Sequence, residues 1–530
     1  MKKIVKILQK IIKESIKILV ILLFFSAIFL SIGLKLGTNW AKENYNYSSF
    51  DEILYTLGTS VTTASRDVLI DFFINIIVPS LKTTLIIFGC FILIYVLYKI
   101  FVRKTNIQLR LILFGKKIVL HFNIIIVFLL ILSVIPIYKL SDSIQYAMKE
   151  LYIDEYLEAN LHSSTFFEEE YVNPENVKLE FPKKKRNLIY IYLESMEATY
   201  ADYDNGGGYP YNYIPNLTEL ALDDDNISFS NTDNLGGAHM TSGTTWTMGG
   251  IVAETAGVPI KNIFGPNSEE SYAHGLVNGA YALGDILEKE GYNQSIMVGS
   301  DLSFGGRREY FKTHGKYKNY DLYTAKEDEI IDDDYYVFWG YEDEKLFEYA
   351  KEELTNIASK DEPFNFTMLT VDTHAPNGYE SDFCPNYSSK PYLNAIYCSD
   401  MQLGEFIEWI QEQDFYDNTT VILTGDHLSM ANYPFEDVED SYERRVYNLF
   451  LNSAVETDNT KNREFTTFDY YPTTLAALGV KIKGDKLGLG TNLFSDKKTL
   501  SERYGNDYID KELSQRSTYY DACINLGKCD

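Results

Sequence analysis

Asn187-Leu188-Ile189-Tyr190-Ile191-Tyr192-Leu193 is an almost unbroken apolar and β-branched run that stops at Glu194-Ser195. A strand with one wet face alternates polar and apolar residues. A run without alternation is buried on both faces, as in a parallel sheet covered by helices on each side. Similar runs recur at 295–298, 365–371 and 419–423, separated by helical patterns such as 283–290 and 345–356. This alternation predicts an α/β domain with a mostly parallel central sheet flanked by helices. In such sheets ligands gather beyond the carboxyl ends of the strands. Those ends carry chemistry here: Glu194 after the first run, Asp372-Thr373-His374 after the third, and Thr424-Gly425-Asp426-His427 after the fourth. Taken singly each has an ordinary use, as a helix cap, a turn residue before Pro376, or an Asx-turn. Gathered on one sheet edge, carboxylates and an imidazole make a divalent-metal site.

Between the first and second runs lies Gly236–Gly250, in which glycines bracket Thr241, Thr244, Thr245 and Thr247. It reads as a loop entering a helix. The helix start offers free N–H groups and positive dipole to an anion. A metal-activated hydroxyl there would attack phosphorus, whereas a plain N-cap is the structural alternative. Arg307 and Arg308, after Phe304-Gly305-Gly306, are placed to grip a phosphate or to pair on the surface. His239, inside the threonine loop, is a weaker candidate, and His274 and His314 read as structural.

The 530-residue chain carries a formal net charge of −27, unevenly spread. Residues 1–138 are basic, with 16 Lys and Arg against 6 Asp and Glu, and the remainder is strongly acidic. An acidic domain of that size argues against a nucleic-acid partner. Three apolar runs, 18–34, 81–102 and 118–138, approach the length needed to cross a hydrocarbon core of about 30 Å. The apolar piece 68–80 contains Asp71 and Pro79 and reads as interfacial or re-entrant. Lysines before the first run, and the basic residues between the second and third, place both segments in the cytoplasm. The first run lacks a convincing cleavage site and reads as an anchor. A linker is expected at 139–185, a globular domain at 186–500 and a tail at 501–530. Cys384 with Cys398, and Cys523 with Cys529, predict two disulfides in an oxidising compartment, four free thiols being the alternative. Cys90 reads as a packing residue.

In order along the chain, Tyr192-Leu193-Glu194-Ser195, Gly243-Thr244-Thr245-Trp246-Thr247-Met248, Val371-Asp372-Thr373-His374-Ala375-Pro376 and Gly425-Asp426-His427 resemble the lipoteichoic acid synthase and phosphoglycerol transferase family. These are membrane-anchored members of the alkaline phosphatase/sulfatase superfamily. The stretch from Trp246 to Pro259, Leu283–Leu287, the Cys384/Cys398 pair and Leu487–Gly490 look most like the phosphoglycerol transferases that modify periplasmic glucans. The resemblance covers residues 186–495 well and the membrane region loosely. It implies one divalent cation, Mn²⁺ foremost with Zn²⁺ or Mg²⁺ as alternatives, held by Glu194, Thr244, Asp426 and His427. It also implies Thr244 as nucleophile, with Thr241 and Thr245 as shifted alternatives. His374 and Arg307 fall on positions that contact the phosphate or glycerol group, His374 also as proton carrier. Gly305 departs from the pattern, because lipoteichoic acid synthases carry a tryptophan near it, so the pocket is expected to be shaped differently. The Cys/Ser-x-Pro-x-Arg run of sulfatases is missing.

The activity so implied takes phosphoglycerol from phosphatidylglycerol, releases diacylglycerol, and passes the group through a threonine adduct to a glycan or polyol hydroxyl. Phosphoethanolamine transfer, glycerol phosphate polymerisation and a catalytically dead scaffold are the rival readings. The implied location is a bacterial inner membrane, with several spans and the catalytic domain on the periplasmic face.

Overall fold

The computed structural model describes residues 2–45, 49–58, 66–101, 106–113, 116–123, 131–261 and 276–528. The chain divides into two compact units, Met1–Glu43 with Arg66–Asp154, and Asn44–Ser65 with Glu155–Asp530.

In the first unit Lys2–Asn44 is one helix, and Glu14–Asn44 within it is long and apolar enough to cross a membrane. So is Leu69–Leu97. Leu22, Leu23, Leu93 and Ile94 are exposed, the composition of a membrane anchor. Two expectations change here. The apolar piece 68–80 is no separate interfacial element but continues into the second span: Arg66–Phe72, a π turn at Phe73–Ile77 and Val78–Phe101 follow one another. Pro79 accounts for the turn. It has no N–H to give the residue four back, and Val78 N–H reaches five back to Phe73 O. The run 118–138 is also not one spanning helix. Lys116–Asn123 pairs antiparallel with Asn106–Leu113, Val134–Glu150 is a helix, and 124–130 lie outside the described residues. The alternation in Asn106-Ile107-Gln108-Leu109-Arg110 suits a strand, and Asn123 interrupts the apolar run 118–138.

The second unit is built on a six-stranded sheet: β1 Asn187–Leu193, β2 Asn293–Val298, β3 Lys318–Tyr320, β4 Phe364–Leu369, β5 Thr419–Gly425 and β6 Asn448–Leu451. The order is β3-β2-β4-β1-β5-β6, parallel except for β6 against β5. The helices used below are α1 Phe50–Gly58, α2 Thr247–Ala256, α3 Leu283–Lys289, α4 Arg307–Thr313, α5 Asp343–Ala358, α6 Pro391–Gln411 and α7 Tyr470–Ala477.

Why β1 has no polar alternation is now visible. Leu188, Tyr190 and Tyr192 pack into a core with Ile251 and Val252 of α2, Ile286 of α3 and Leu475 of α7. Ile189, Ile191 and Leu193 face the opposite core, with Leu346 and Ala350 of α5 and Ile396 and Leu403 of α6. Burial on both faces makes β1 the middle of a three-layer α/β/α domain. Register then sets the site, because Leu193 pairs with Gly425 and Tyr192 with Leu369. Glu194, Thr370 and Asp426 therefore leave the sheet at one level.

The stretch expected as a tail belongs to the domain: Ile509, Leu513, Tyr520 and Ile524 are buried in the α2 core. Cys384 and Cys398 form a disulfide. Cys523 is disulfide-bonded, and Cys529, its expected partner, lies outside the described residues. Cys90 is free and exposed instead of packed.

Candidate metal and nucleophile site

Glu194 is held at both backbone ends by the loop after β4. Its N–H donates to Thr370 Oγ1 at 2.9 Å, and its carbonyl accepts from Thr373 Oγ1 at 2.5 Å. The next residue, Ser195, sits at φ 54°, a left-handed conformation that costs a non-glycine residue about 1 kcal/mol or more. That bend lets Ser195 Oγ donate back to Glu194 Oε1 at 2.7 Å and Ser195 N–H donate to Asp426 Oδ1 at 2.8 Å.

The two carboxylate oxygens of Asp426 differ in their surroundings. Oδ1 accepts from the N–H groups of Ser195 and His427, both at 2.8 Å, making the turn. Oδ2 is buried with no hydrogen-bond partner among the described residues. His427 Nδ1 lies 2.8 Å from Leu428 O. A carbonyl only accepts, so Nδ1 carries the hydrogen and Nε2 is turned toward the carboxylates. Nε2 lies 3.3 Å from Glu194 Oε1 and 3.5 Å from Asp426 Oδ2. One donor atom from each of Glu194, Asp426 and His427 falls within 4.8 Å of the others. An orphaned carboxylate oxygen, a second buried carboxylate and an imidazole oriented by a backbone carbonyl fit a divalent cation.

Without a cation a proton does that work. Burial pushes the Asp426 carboxyl up to about 7, helped by the Glu194 charge. Burial also opposes the His427 imidazolium, but Asp426 and Glu194 outweigh it and hold it up to about 10. Burial likewise works against ionised Glu194, and the two imidazoles, His427 first, bring it down to about 2.

The threonine loop directs its hydroxyls to different partners. Thr244 is 0 % exposed, and its Oγ1 donates to Thr241 O at 2.9 Å while accepting from Thr241 N–H at 3.0 Å. Its hydroxyl is spent on a turn. Thr241 is equally buried, and Thr245 Oγ1 donates to Glu52 Oε2 at 3.2 Å. The hydroxyl that meets the cluster is that of Thr247, whose Oγ1 lies 3.4 Å from His427 Nε2. Thr247 is also the first residue of α2, after an extended Trp246, so free helix-start N–H groups lie beside it. The overlooked signal was Met248-Gly249-Gly250: α2 begins where small residues allow close packing, not at the earlier glycine. Gly250 shows how tight that packing is, since a Cβ there would stand 1.8 Å from Asp426 O. Gly250→Ala is expected to push the Asp426 loop outward, lowering stability by about 3 kcal/mol and abolishing cation binding. Thermal unfolding and metal analysis of the purified protein check both.

Arg307 opens α4 and is buried. Its guanidinium donates to neutral oxygens: Ser300 Oγ at 3.0 Å, Asp301 O at 2.8 Å and Phe304 O at 3.1 Å. Arg308 instead pairs with Asp321 at 2.7 Å. Arg307 and His374 both feel the Glu194 charge. His374 Nδ1 lies 2.8 Å from Ala375 O and so carries its hydrogen, and burial lowers the pKa of the ring. A partly exposed aromatic wall joins the two: Arg307 lies 5.5 Å from the Phe304 ring, Phe304 5.3 Å from Trp339, and Trp339 4.5 Å from the His374 ring. Trp339 was not singled out in the sequence. His239 belongs elsewhere, 2.9 Å from Asp510 Oδ2.

A family model described as Sulfatase matches residues 186–480, and one described as Ion transport protein matches residues 1–108. Phosphoglycerol transferase I of Salmonella choleraesuis (strain SC-B67) is 32% identical over 336 residues, 61% of this chain and 41% of that protein. The protein of the same name from Xanthomonas campestris pv. campestris (strain B100) is 30% identical over 320 residues, 59% of this chain and 43% of that one. The aligned part thus spans about two fifths of the length of these curated relatives. Among solved structures, lipoteichoic acid synthase LtaP from Listeria monocytogenes is 19% identical, with a TM-score of 0.47 over 63% of this chain and 82% of that one.

Proposed function

We propose that this chain, which belongs to the sulfatase family, transfers phosphoglycerol from phosphatidylglycerol to a glycan or polyol hydroxyl. The observation that carries the reading is the Thr247 hydroxyl at a helix start, 3.4 Å from a histidine of a buried carboxylate–imidazole cluster. Identity of about 30% to proteins named phosphoglycerol transferase I supports the choice of group. The helix starts Thr247-Met248-Gly249-Gly250, without the Cys/Ser-x-Pro-x-Arg run, which favours phosphoryl over sulfuryl chemistry.

Glu194, Asp426 and His427 would hold one divalent cation, their mixed oxygen and nitrogen donors suiting Mn²⁺, Zn²⁺ and Mg²⁺ alike; when bound it would supply Lewis acidity toward hydroxyl and phosphoryl oxygens. Thr247 Oγ attacks phosphorus, the bond to the diacylglycerol oxygen breaks, and that oxygen leaves with a proton. Arg307, whose hydrogen bonds to Ser300, Asp301 and Phe304 all go to neutral oxygens, grips the phosphoryl group. An acceptor hydroxyl then attacks the Thr247 adduct, passing its proton to His374 Nε2, whose lone pair is left free by the Nδ1 hydrogen bond. The Oγ–P bond breaks and the threonine recovers its hydrogen. Membrane-length helices suit a lipid donor, because tethering raises its effective concentration. The Cys384–Cys398 disulfide supports an extracytoplasmic catalytic unit.

The test is turnover by the full-length protein on vesicles of phosphatidylglycerol labelled in the headgroup glycerol, with candidate glycans. Label is expected on the glycan, with one diacylglycerol released per transfer. Preference for phosphatidylethanolamine, or growth of a glycerol phosphate polymer, would replace this reading with the corresponding rival.

A further inference from the structure

Helix α1 lies in sequence between the two membrane-length helices, more than 130 residues before Glu194, yet it belongs to the catalytic unit. Two of its residues, one turn apart and so on one face, touch two loops of the site. Glu52, 1 % exposed, accepts the Thr245 hydroxyl at 3.2 Å. Tyr55 lays its ring 5.1 Å from that of Trp246, the residue preceding Thr247, and donates its hydroxyl to Gly305 O. Gly305 lies two residues before Arg307, in the loop whose Phe304 carbonyl accepts from Arg307 Nε.

The buried Nε1–H of Trp246 has no acceptor among the described residues, so packing positions its ring. Gly305, at φ 63°, has no side chain, and a Cβ there would meet Tyr55 Cε1 and its hydroxyl oxygen at 3.5 Å. The space that a larger residue would fill is taken by Tyr55.

We propose that α1 is a positioning element of the active site, with Tyr55 tying the Thr247 loop to the Arg307 loop and Glu52 fixing Thr245. The inference rests on the roles given above to Thr247 and Arg307. In-line attack requires the nucleophile and the phosphate-holding arginine to keep their separation, and a shift of about 1 Å can cost about 100-fold in rate. Tyr55 contacts both loops. Neither residue need touch substrate.

The experiment uses full-length protein with two substrates, phosphatidylglycerol vesicles and the chromogenic diester bis(4-nitrophenyl) phosphate. Tyr55→Phe keeps the ring and loses the tie to Gly305; kcat on both substrates is expected to fall about 10-fold, with KM and bound metal unchanged and the protein still folded at the assay temperature. Tyr55→Ala loses both contacts and should fall further; if it does not fold, Tyr55→Phe carries the test. Glu52→Gln still accepts from Thr245 and should retain near wild-type kcat, whereas Glu52→Ala should not. Wild-type kcat in Tyr55→Phe and Glu52→Ala on either substrate overturns the inference. A wild-type protein that cleaves the diester but not the lipid overturns the phosphoglycerol reading alone. Cleavage of neither overturns both.

Discussion

Thr247→Ala is expected to reduce transfer by at least about 1000-fold, while Thr244→Ala keeps most of its activity and loses stability instead. A nucleophile cannot be replaced by a methyl group, and what survives its removal is binding and electrostatic stabilisation alone. Thr247 qualifies on position, next to His427 Nε2 and at the first turn of α2. Thr244 is disqualified by its bonds, because its hydroxyl both donates to and accepts from the Thr241 backbone. Removing it leaves the buried Thr241 N–H unpaired, at about 1–3 kcal/mol, while Thr241 O keeps the Thr244 N–H at 3.1 Å. The two variants should therefore separate cleanly: one folds with wild-type melting behaviour and is inert, the other melts earlier and turns over. Steady-state kinetics beside a thermal melt distinguishes them. An inert Thr244→Ala with a fully active Thr247→Ala would return the nucleophile to the position first read from the sequence.

The second large effect is expected at Asp426. Asparagine keeps the Oδ1 that accepts from Ser195 and His427 and removes the charge on the unpartnered oxygen. The turn should persist and cation binding should not. Wild-type protein should gain stability on adding Mn²⁺, by about 4 kcal/mol at a thousandfold excess over its dissociation constant. Asp426→Asn should gain nothing. In chelator the order should reverse or level. There the wild type buries Asp426 beside Glu194, two carboxylates that burial and mutual repulsion disfavour, and the variant buries one. Activity should fall at least about 1000-fold, in line with loss of the charge that faces the phosphoryl oxygens. Melting curves with and without Mn²⁺, together with metal content, test this. A variant that binds one metal per chain and melts like the wild type would remove Asp426 from the ligand set.

Much of this site was legible because its chemistry sits at strand ends. The apolar run 187–193 announces a doubly covered strand, so Glu194 at its end is placed on a known edge of the sheet, as are Asp426 and His427 after β5. Which threonine faces them was not legible. Four occur within seven residues, and only the backbone decides that Thr244 folds back on Thr241 while Thr247 starts α2. The part played by α1 was beyond local pattern altogether. Glu52 meets a residue 193 positions away and Tyr55 one 250 away, and no periodicity records such pairings. The run 118–138 misled for the opposite reason: its composition suits a span, but Lys116–Asn123 finds a partner strand in Asn106–Leu113.

The most direct measurement quenches full-length protein after incubation with phosphatidylglycerol and no acceptor, then maps the modified peptide by mass spectrometry. The account predicts a phosphoglycerol group on Thr247, with diacylglycerol released in equal amount. The group on any other residue, or transfer proceeding at full rate with Thr247 unmodified and replaceable, would contradict it.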